Sequence, residues 1–169
     1  MNPPQNLFLV GPMGAGKSAV GRQLAKALHM SFFDSDDEIE LRTGVDIPFI
    51  FDKEGEAGFR KREARVIDDL SAKEGIVLAT GGGAILDARN RSHLGARGFV
   101  VYLYTSVDQQ VRRTLKGRQR PMLANGDSRE ILERLMSVRD PLYREIADLV
   151  VETDGRKVKA VAEEILEKM

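Results

Sequence analysis

The sequence predicts one α/β domain in which a five-stranded parallel sheet is covered by helices on both faces. Short apolar runs alternate along the chain with longer amphipathic segments, and the runs are apolar at nearly every residue. Strands buried on both faces of a parallel sheet have this pattern. Strands that alternate with helices indicate a three-layer α/β/α arrangement. The 169 residues suit a single domain with its own core, so we assign 1–169 to one unit.

The elements follow in order along the chain. The predicted strands are 7–10, 31–33, 76–79, 99–104 and 148–152. The predicted helices are 17–28, 56–73, 107–115, 128–146 and a last one in which Val158, Val161, Ala162, Ile165 and Leu166 repeat with helical spacing. The polar stretch 114–128 contains Gly117, Pro121, Asn125 and Gly126. A loop of this length is either a plain surface loop or a functional lid.

Composition excludes several classes of function. The 26 basic residues balance the 26 acidic ones, so no net field favours nucleic acid or an anionic membrane. The absence of cysteine excludes disulfides and thiolate catalysis. The N-terminus MNPPQN lacks the features of a signal peptide, and no apolar run approaches the roughly 20 residues of a membrane span. We therefore expect a cytoplasmic protein, and a monomer because nothing demands a partner.

The segment GPMGAGKS, residues 11–18, predicts a phosphate-binding loop. Its glycines let backbone N–H groups converge on phosphate oxygens, Lys17 can reach the β- and γ-phosphates, and the Ser18 hydroxyl can ligate Mg²⁺. The segment follows an apolar strand and opens an amphipathic helix, whose N-terminal dipole favours phosphate. We assign nucleotide binding to Gly14, Ala15, Gly16, Lys17, Ser18 and Ala19.

Two aspartates follow the second strand in FFDSDDE. Asp34 and Asp36 are expected at the carboxyl edge of the sheet, where open α/β sheets bind ligands. We expect Asp34 to help order a Mg²⁺ ion, and Asp36 to hydrogen-bond an acceptor hydroxyl or take its proton. The alternative is that Asp36 or Asp37 only caps the next helix.

Arg60 and Glu63 lie three residues apart on one predicted helix face. They form either an exposed ion pair contributing less than about 1 kcal/mol, or part of a more enclosed site, as the nearby Phe51 and Phe59 suggest. The three glycines 81–83 then follow the third strand. They indicate a close approach of the backbone to a ligand, or a plain chain reversal.

Arginines accumulate in the last third of the chain. Arg113 and Arg120 lie beside or in the predicted lid, and Arg139 lies on the helix that follows it. The guanidinium group matches phosphates and carboxylates bidentately. The arginines therefore indicate both stabilisation of a transferring phosphoryl group and recognition of an anionic acceptor.

The chain resembles the shikimate kinases, small phosphate-loop enzymes of aromatic amino-acid biosynthesis, over essentially its whole length. The segments that carry the resemblance are, in order, GPMGAGKS, FFDSDDEIE, EGEAGFRKRE, TGGGA, RQRPML and RDPLYR. The resemblance implies a sheet ordered 2-3-1-4-5, a substrate-binding helical segment near 35–62 and a mobile lid near 114–126. It also implies transfer of the γ-phosphoryl group of ATP to the 3-hydroxyl of shikimate, with Mg²⁺ as cofactor.

The resemblance further assigns roles to individual residues. Asp36 would bind the shikimate hydroxyls, Arg60 and Arg139 its carboxylate, and Gly82 the substrate through its backbone. Lys17 and Arg120 would act on the phosphates, Arg113 and Arg156 would border the adenine, and Ser18 and Asp34 would hold Mg²⁺. The chemistry of such a substrate agrees, because its ring needs an apolar wall, which Phe51 and Phe59 can supply.

Other functions remain as alternatives. Gluconate also carries a carboxylate and hydroxyls, so a gluconate kinase of the same fold is the nearest one, and a nucleoside-monophosphate kinase is another. A guanine-specific switch protein would need a base-reading N-K-x-D motif, which the sequence lacks. A motor acting on nucleic acid would be expected to have a basic excess.

Overall fold

The structure, a computed structural model, describes residues 5–116 and 128–169, with side chains described to 113 and again from 128. Five parallel strands form one sheet in these ranges, in the order β2-β3-β1-β4-β5. The strands are β1 (Leu7–Val10), β2 (Ser31–Asp34), β3 (Ile76–Ala79), β4 (Phe99–Tyr104) and β5 (Leu149–Glu152). The predicted fold class and strand order are confirmed.

Helices flank the sheet. They are α1 (Lys17–Leu28), α2 (Ser35–Thr43), α3 (Ile47–Ser71), α4 (Ala88–Arg97), α5 (Val107–Lys116), α6 (Ser128–Ile146) and α7 (Val158–Lys168), with a short 3₁₀ helix at Ala84–Leu86. The pattern-based prediction missed α2, α4 and the first part of α3. It also began the polar loop at 114, whereas α5 continues to Lys116. The rest of the predicted lid, Arg120 included, lies outside the described residues.

The central strand explains why the sheet has two cores. Successive side chains of a strand point to opposite faces, and all four residues of β1 are buried. Phe8 and Val10 join one cluster, and Leu7 and Leu9 join the other. The first cluster includes Ile39, Ile67, Leu70, Leu94 and Tyr143, and the second includes Leu24, Val161 and Ile165. Helices α2, α3, α4 and α6 therefore cover one face, while α1 and α7 cover the other.

Helix α3 is divided by a kink at Gly55, whose φ of 71° and ψ of −179° are not helical. A side chain at this φ would strain the backbone, which favours glycine. The part after Gly55 confirms the helix predicted from residue 56. The part before it begins with Asp46 as N-cap, which accepts from the Phe49 N–H at 2.9 Å. The expected substrate segment 35–62 therefore falls on α2 and both parts of α3.

The carboxyl ends of three neighbouring strands meet at one edge of the sheet. Leu9 of β1 and Asp34 of β2 both pair with Ala79 of β3. The loops after β1 and β3 and the start of α2 therefore leave the sheet side by side, at the edge where α/β proteins bind ligands. In the described part of the chain, no helix has the length and apolar character needed to cross a membrane.

Candidate active site

The predicted phosphate-binding loop connects β1 to α1. Gly14 and Gly16 have φ of 81° and 84°, in the left-handed region that glycine tolerates. Gly16 is the N-cap of α1, so the free N–H groups of the first helical turn begin at this loop. Lys17 Nζ donates to the carbonyl oxygens of Gly11 at 2.7 Å and Pro12 at 2.8 Å. The loop thus holds a cation beside the helix N-terminus, as phosphate binding requires.

Ser18 and Asp34 lie in direct contact. The Ser18 hydroxyl donates to one carboxylate oxygen of Asp34, and the other oxygen accepts from the N–H groups of Asp36 at 2.9 Å and Asp37 at 3.1 Å. Asp34 is therefore the N-cap of α2, and the suggestion that Asp36 or Asp37 caps this helix is wrong.

The Ser18–Asp34 pair fits a magnesium ion. Mg²⁺ prefers oxygen ligands, and in sites that bind phosphates it takes one or two carboxylates while keeping several waters. One hydroxyl and one carboxylate match that set. Across the described ranges, no group of three or more His, Asp or Glu residues could form an all-protein metal cage. An ion here would complete its ligands with waters and phosphate oxygens.

The triple-glycine loop, Gly81–Gly83, lies among the predicted substrate residues. A Cβ on Gly81 would lie 2.7 Å from Asp36 Oδ1 and 3.1 Å from Glu63 Oε2. A Cβ on Gly83 would collide with the Arg60 guanidinium. A side chain at Gly81 or Gly83 would therefore have to displace these groups from their positions. The Gly81 N–H is also fixed, because it donates to the buried Ser35 hydroxyl at 3.0 Å.

Gly82, in the middle of this loop, lies close both to a predicted substrate residue and to the phosphate-binding loop. A Cβ on Gly82 would lie 3.5 Å from Arg139 Nη1 and 3.4 Å from the Met13 backbone nitrogen. Arg139 comes from α6 and Met13 from the phosphate-binding loop. The structure therefore brings together Asp36, Arg60, Gly82 and Arg139, which lie far apart in the sequence.

Arg139 is a buried cation. Only 5% of the residue is exposed, and its Nε has no hydrogen-bond partner among the described residues. Burial lowers the pKa of the Arg139 guanidinium, and the positive charge of Arg60 acts in the same direction. Two arginines that disfavour each other's charge are stabilised by an anion placed between them. A ligand carboxylate would have this effect.

Arg60 and Glu63 form the predicted ion pair, with 2.8 Å between Nη1 and Oε1. The interpretation as an exposed surface pair is wrong, because Glu63 is 1% exposed. Burial raises the pKa of the Glu63 carboxyl from 4.5 to about 7, although Arg60 acts in the opposite direction. Its Oε2 has no hydrogen-bond partner in the described part of the chain. The pair therefore belongs to the enclosed site.

Sequence reasoning gave no role to Tyr143, which also reaches this site. Its hydroxyl donates to the Gly82 carbonyl oxygen at 2.6 Å, and the residue is 1% exposed. The available signal was its spacing: Tyr143 lies four residues after Arg139 on α6, and residues with this spacing share a helix face.

Three further arginines are among the predicted site residues. Arg113 donates to the Gly14 carbonyl oxygen and so contacts the phosphate-binding loop. Arg156 instead pairs with Glu164 at 2.7 Å and lines a cavity of about 450 Å³ with Tyr104, Arg144 and Val150. The expected contacts of both arginines with adenine remain predictions, as does the role of Arg120.

The structure also describes the predicted wall residues, Phe51 and Phe59, and two further residues assigned to nucleotide binding, Ala15 and Ala19. The rings of Phe51 and Phe59 pack with centroids 4.8 Å apart. Phe59 is buried in the core and Phe51 is half-buried against it, so Phe51 retains more surface for a ligand. In the nucleotide loop, Ala15 is buried and Ala19 is exposed in the first turn of α1.

Comparison with known proteins gives one consistent result. The profile described as "Shikimate kinase" matches residues 13–169. A shikimate kinase of Shewanella oneidensis is 60% identical over 98% of this chain and 96% of its own. The structure of the Acinetobacter baumannii shikimate kinase in complex with shikimate superimposes with a TM-score of 0.95 at 51% identity, covering 97% of this chain and 92% of that one. The Aquifex aeolicus shikimate kinase gives a TM-score of 0.82 at 34% identity, covering 96% and 94%.

Proposed function

The chain belongs to the shikimate kinase family, and we propose from this how its residues perform the reaction. It is an ATP-dependent kinase that transfers the γ-phosphoryl group of ATP to the 3-hydroxyl of shikimate, giving shikimate 3-phosphate and ADP. One observation carries the assignment of the acceptor site. The buried Arg139 lies beside Gly82 and close enough to Arg60 for the two charges to interact. Gly82 in turn lies beside Met13 of the predicted phosphate-binding loop.

Arg60 and Arg139 bind the shikimate carboxylate. Each presents a planar group of N–H donors that suits a carboxylate, and both come close to the triple-glycine loop. Glu63 holds Arg60 through Nη1 and Glu56 holds it through Nε, so Nη2 is the group that would face the ligand. The buried charge of Arg139, whose Nε has no hydrogen-bond partner in the described part of the chain, supports an acidic acceptor over a neutral one.

Asp36 binds the acceptor hydroxyl and accepts its proton. Its Oδ1 lies beside Gly81, as Glu63 Oε2 does, and its backbone N–H donates to Asp34. A carboxylate within hydrogen-bond reach of a hydroxyl orients the oxygen for attack and receives the proton as the new bond forms. The rest of the transfer depends on alignment and charge, because phosphoryl transfer needs little covalent participation by the protein.

Lys17 and the N-terminus of α1 bind the phosphates. With ATP bound, the Lys17 ammonium exchanges the carbonyl oxygens of Gly11 and Pro12 for phosphate oxygens of greater charge. Ser18 and Asp34 are the residues that would hold Mg²⁺, and the bound ion would supply positive charge against the β- and γ-phosphates. Arg113, which contacts Gly14, extends this cationic surface.

We also propose that the enzyme works as a cytoplasmic monomer. The groups assigned to acceptor and phosphates, Lys17, Asp36, Arg60 and Arg139, all come from one chain. Light scattering after gel filtration tests the oligomeric state: a particle of about one chain mass supports the proposal, and a stable dimer at assay concentration contradicts it.

The activity is tested by ADP release from Mg-ATP with four acceptors: shikimate, quinate, gluconate and AMP. ADP formed in equal amount to phosphorylated shikimate, with much lower kcat/KM for the other three, is the expected result. Turnover with gluconate and none with shikimate would reassign the site to another acid of the same general chemistry.

A further inference from the structure

The Tyr143 hydroxyl lies between two residues assigned to shikimate. It donates to the Gly82 carbonyl oxygen at 2.6 Å. Burial raises the pKa of this hydroxyl, and the Arg139 guanidinium, which interacts with it, acts in the opposite direction. Arg139 Nη1 would also lie 3.5 Å from a Cβ on Gly82. These contacts link α6 to the triple-glycine loop through one buried oxygen.

We propose that Tyr143 is a positioning residue for shikimate, which fixes the Gly82 backbone relative to Arg139. The inference rests on the proposed roles of Arg139 and Gly82. Three consecutive glycines have a broad choice of backbone angles, so the sequence alone does not hold this loop in one conformation. A hydrogen bond to the Gly82 carbonyl selects one peptide orientation. Because a trans peptide points its N–H opposite to its carbonyl, the same bond turns the Gly83 N–H away from α6.

Tyr143 does not contact the substrate in this proposal. Loss of its hydroxyl should nevertheless weaken shikimate binding, whereas loss of the hydroxyl of a purely structural tyrosine should affect stability alone. Tyr102 provides the comparison. It is also fully buried, its hydroxyl donates to Asp140 Oδ1 at 2.6 Å, and its ring packs on that of Tyr143 with centroids 4.8 Å apart. Its hydrogen bond joins β4 to α6 and does not reach the triple-glycine loop.

The test compares Tyr143→Phe with Tyr102→Phe. Each variant removes one buried hydroxyl that makes a 2.6 Å hydrogen bond, so similar decreases in Tm are expected. Tyr143→Phe should raise the KM for shikimate by about 2- to 10-fold, the effect of losing one hydrogen bond that orders a binding group. Its KM for ATP should be unchanged. Tyr102→Phe should change neither KM.

A second measurement covers the case of low stability. Saturating shikimate raises the Tm of any variant that binds it, so the increase reports binding by the folded protein alone. At one fixed shikimate concentration, the increase should be smaller for Tyr143→Phe than for wild type and Tyr102→Phe. Equal KM values and equal Tm increases for the two variants would overturn the proposal. A Tyr143→Phe protein that cannot fold beside a folded Tyr102→Phe would also overturn it, since the hydroxyl would then be structural.

Arg139→Lys separates this inference from the assignment of the site. If Arg139→Lys raises the KM for shikimate and Tyr143→Phe does not, only the positioning role of Tyr143 fails. If Arg139→Lys also leaves this KM unchanged, the proposed carboxylate site itself is wrong.

Discussion

Arg60 Nη1 lies 2.8 Å from Glu63 Oε1, yet this ion pair does not give Glu63 the low pKa of an ordinary paired carboxylate. Burial has the larger effect and raises the Glu63 pKa to about 7. Asp36 adds to the rise through its negative charge, whereas Arg139 opposes it. The Glu63 carboxyl of this ion pair should therefore change its protonation near neutral pH.

Glu63→Gln should remove a pH dependence of stability. In the folded protein the Glu63 pKa is about 7, against 4.5 for the ordinary carboxyl, so the folded state binds the extra proton between these values. The stabilisation that comes from this proton is fully present below pH 4.5. It decreases as pH rises to 7, and the size of the pKa shift corresponds to a loss of about 3 kcal/mol in the free energy of unfolding. Urea titrations at pH 5, 6, 7 and 8 measure the free energy of unfolding. The value for the variant should rise relative to that of wild type as pH rises.

Glu56→Gln is the matched control for that series. Glu56 also pairs with Arg60, at 3.3 Å, but its side chain is 47% exposed. Its removal should change the free energy of unfolding by less than about 1 kcal/mol at every pH. Parallel pH profiles for Glu63→Gln and wild type would show that Glu63 does not titrate in this range.

Lys17→Ala should lower kcat by about 10²-fold or more, the effect of losing one group that stabilises transition-state charge. The ammonium is assigned to the phosphates, so the KM for shikimate should change little. Lys26→Ala removes an exposed lysine from the same helix and should leave kcat unchanged. Steady-state rates of ADP release measure both variants. Wild-type turnover by Lys17→Ala would refute the assignment of the phosphate-binding loop.

Asp36→Asn should lower kcat by about 10²- to 10⁴-fold, because the amide cannot accept the proton of the attacking hydroxyl. Asp37→Asn is the control, because it changes the neighbouring residue, which is exposed and has its Oδ2 3.9 Å from Arg22 Nη2. This variant should have a kcat close to that of wild type. Initial rates with saturating ATP and shikimate give the comparison. An effect of Asp36→Asn confined to the KM for ATP would instead place this residue at the nucleotide.

Asp34→Asn should raise the Mg²⁺ concentration needed for half-maximal rate. Asparagine caps a helix about as well as aspartate, so α2 should keep its stability while the site loses a charged oxygen ligand. Asp87→Asn is the control, because Asp87 caps α4 by accepting from the Arg89 N–H at 2.8 Å. A Mg²⁺ titration unchanged by Asp34→Asn would restrict Asp34 to capping.

The elements that the sequence predicted are those whose side chains carry a strong local pattern. The strands are nearly continuous apolar runs, and the phosphate-binding loop has fixed spacing, so both could be located. The apolar pattern missed helices α2 and α4, although the resemblance implied a helical segment from about 35, because each helix buries only two residues: Ser35 and Ile39 in α2, and Asn90 and Leu94 in α4. Their usable signal was the N-cap, Asp34 and Asp87, which a periodicity search does not detect.

The arrangement of the site was only partly predictable. The residue types in the motifs indicated phosphate and carboxylate chemistry, and the family resemblance supplied roles. Burial of Glu63 and the hydrogen bond from Tyr143 to Gly82 depend on how α3 and α6 pack against the triple-glycine loop. Such contacts join distant parts of the chain, so spacing within one segment cannot reveal them.

We propose that the pocket selects its acceptor through a carboxylate held between Arg60 and Arg139. The most direct test is kcat/KM for shikimate and for an analogue with a neutral alcohol in place of the carboxylate, in wild type and Arg139→Ala. A charge-assisted hydrogen bond contributes about 1.5–3 kcal/mol, so the variant should lose about 10- to 150-fold with shikimate. It should lose little with the alcohol, and the KM for ATP should not change.

Arg134→Ala, which removes an exposed arginine from the same helix, should behave as wild type with both acceptors. Arg139→Lys should recover only part of the loss, because an ammonium lacks the bidentate geometry of the guanidinium. Arg139→Ala should therefore abolish most of the preference for the acid over the alcohol. An equal loss of kcat/KM with both acceptors would contradict this proposal, because Arg139 would then be structural.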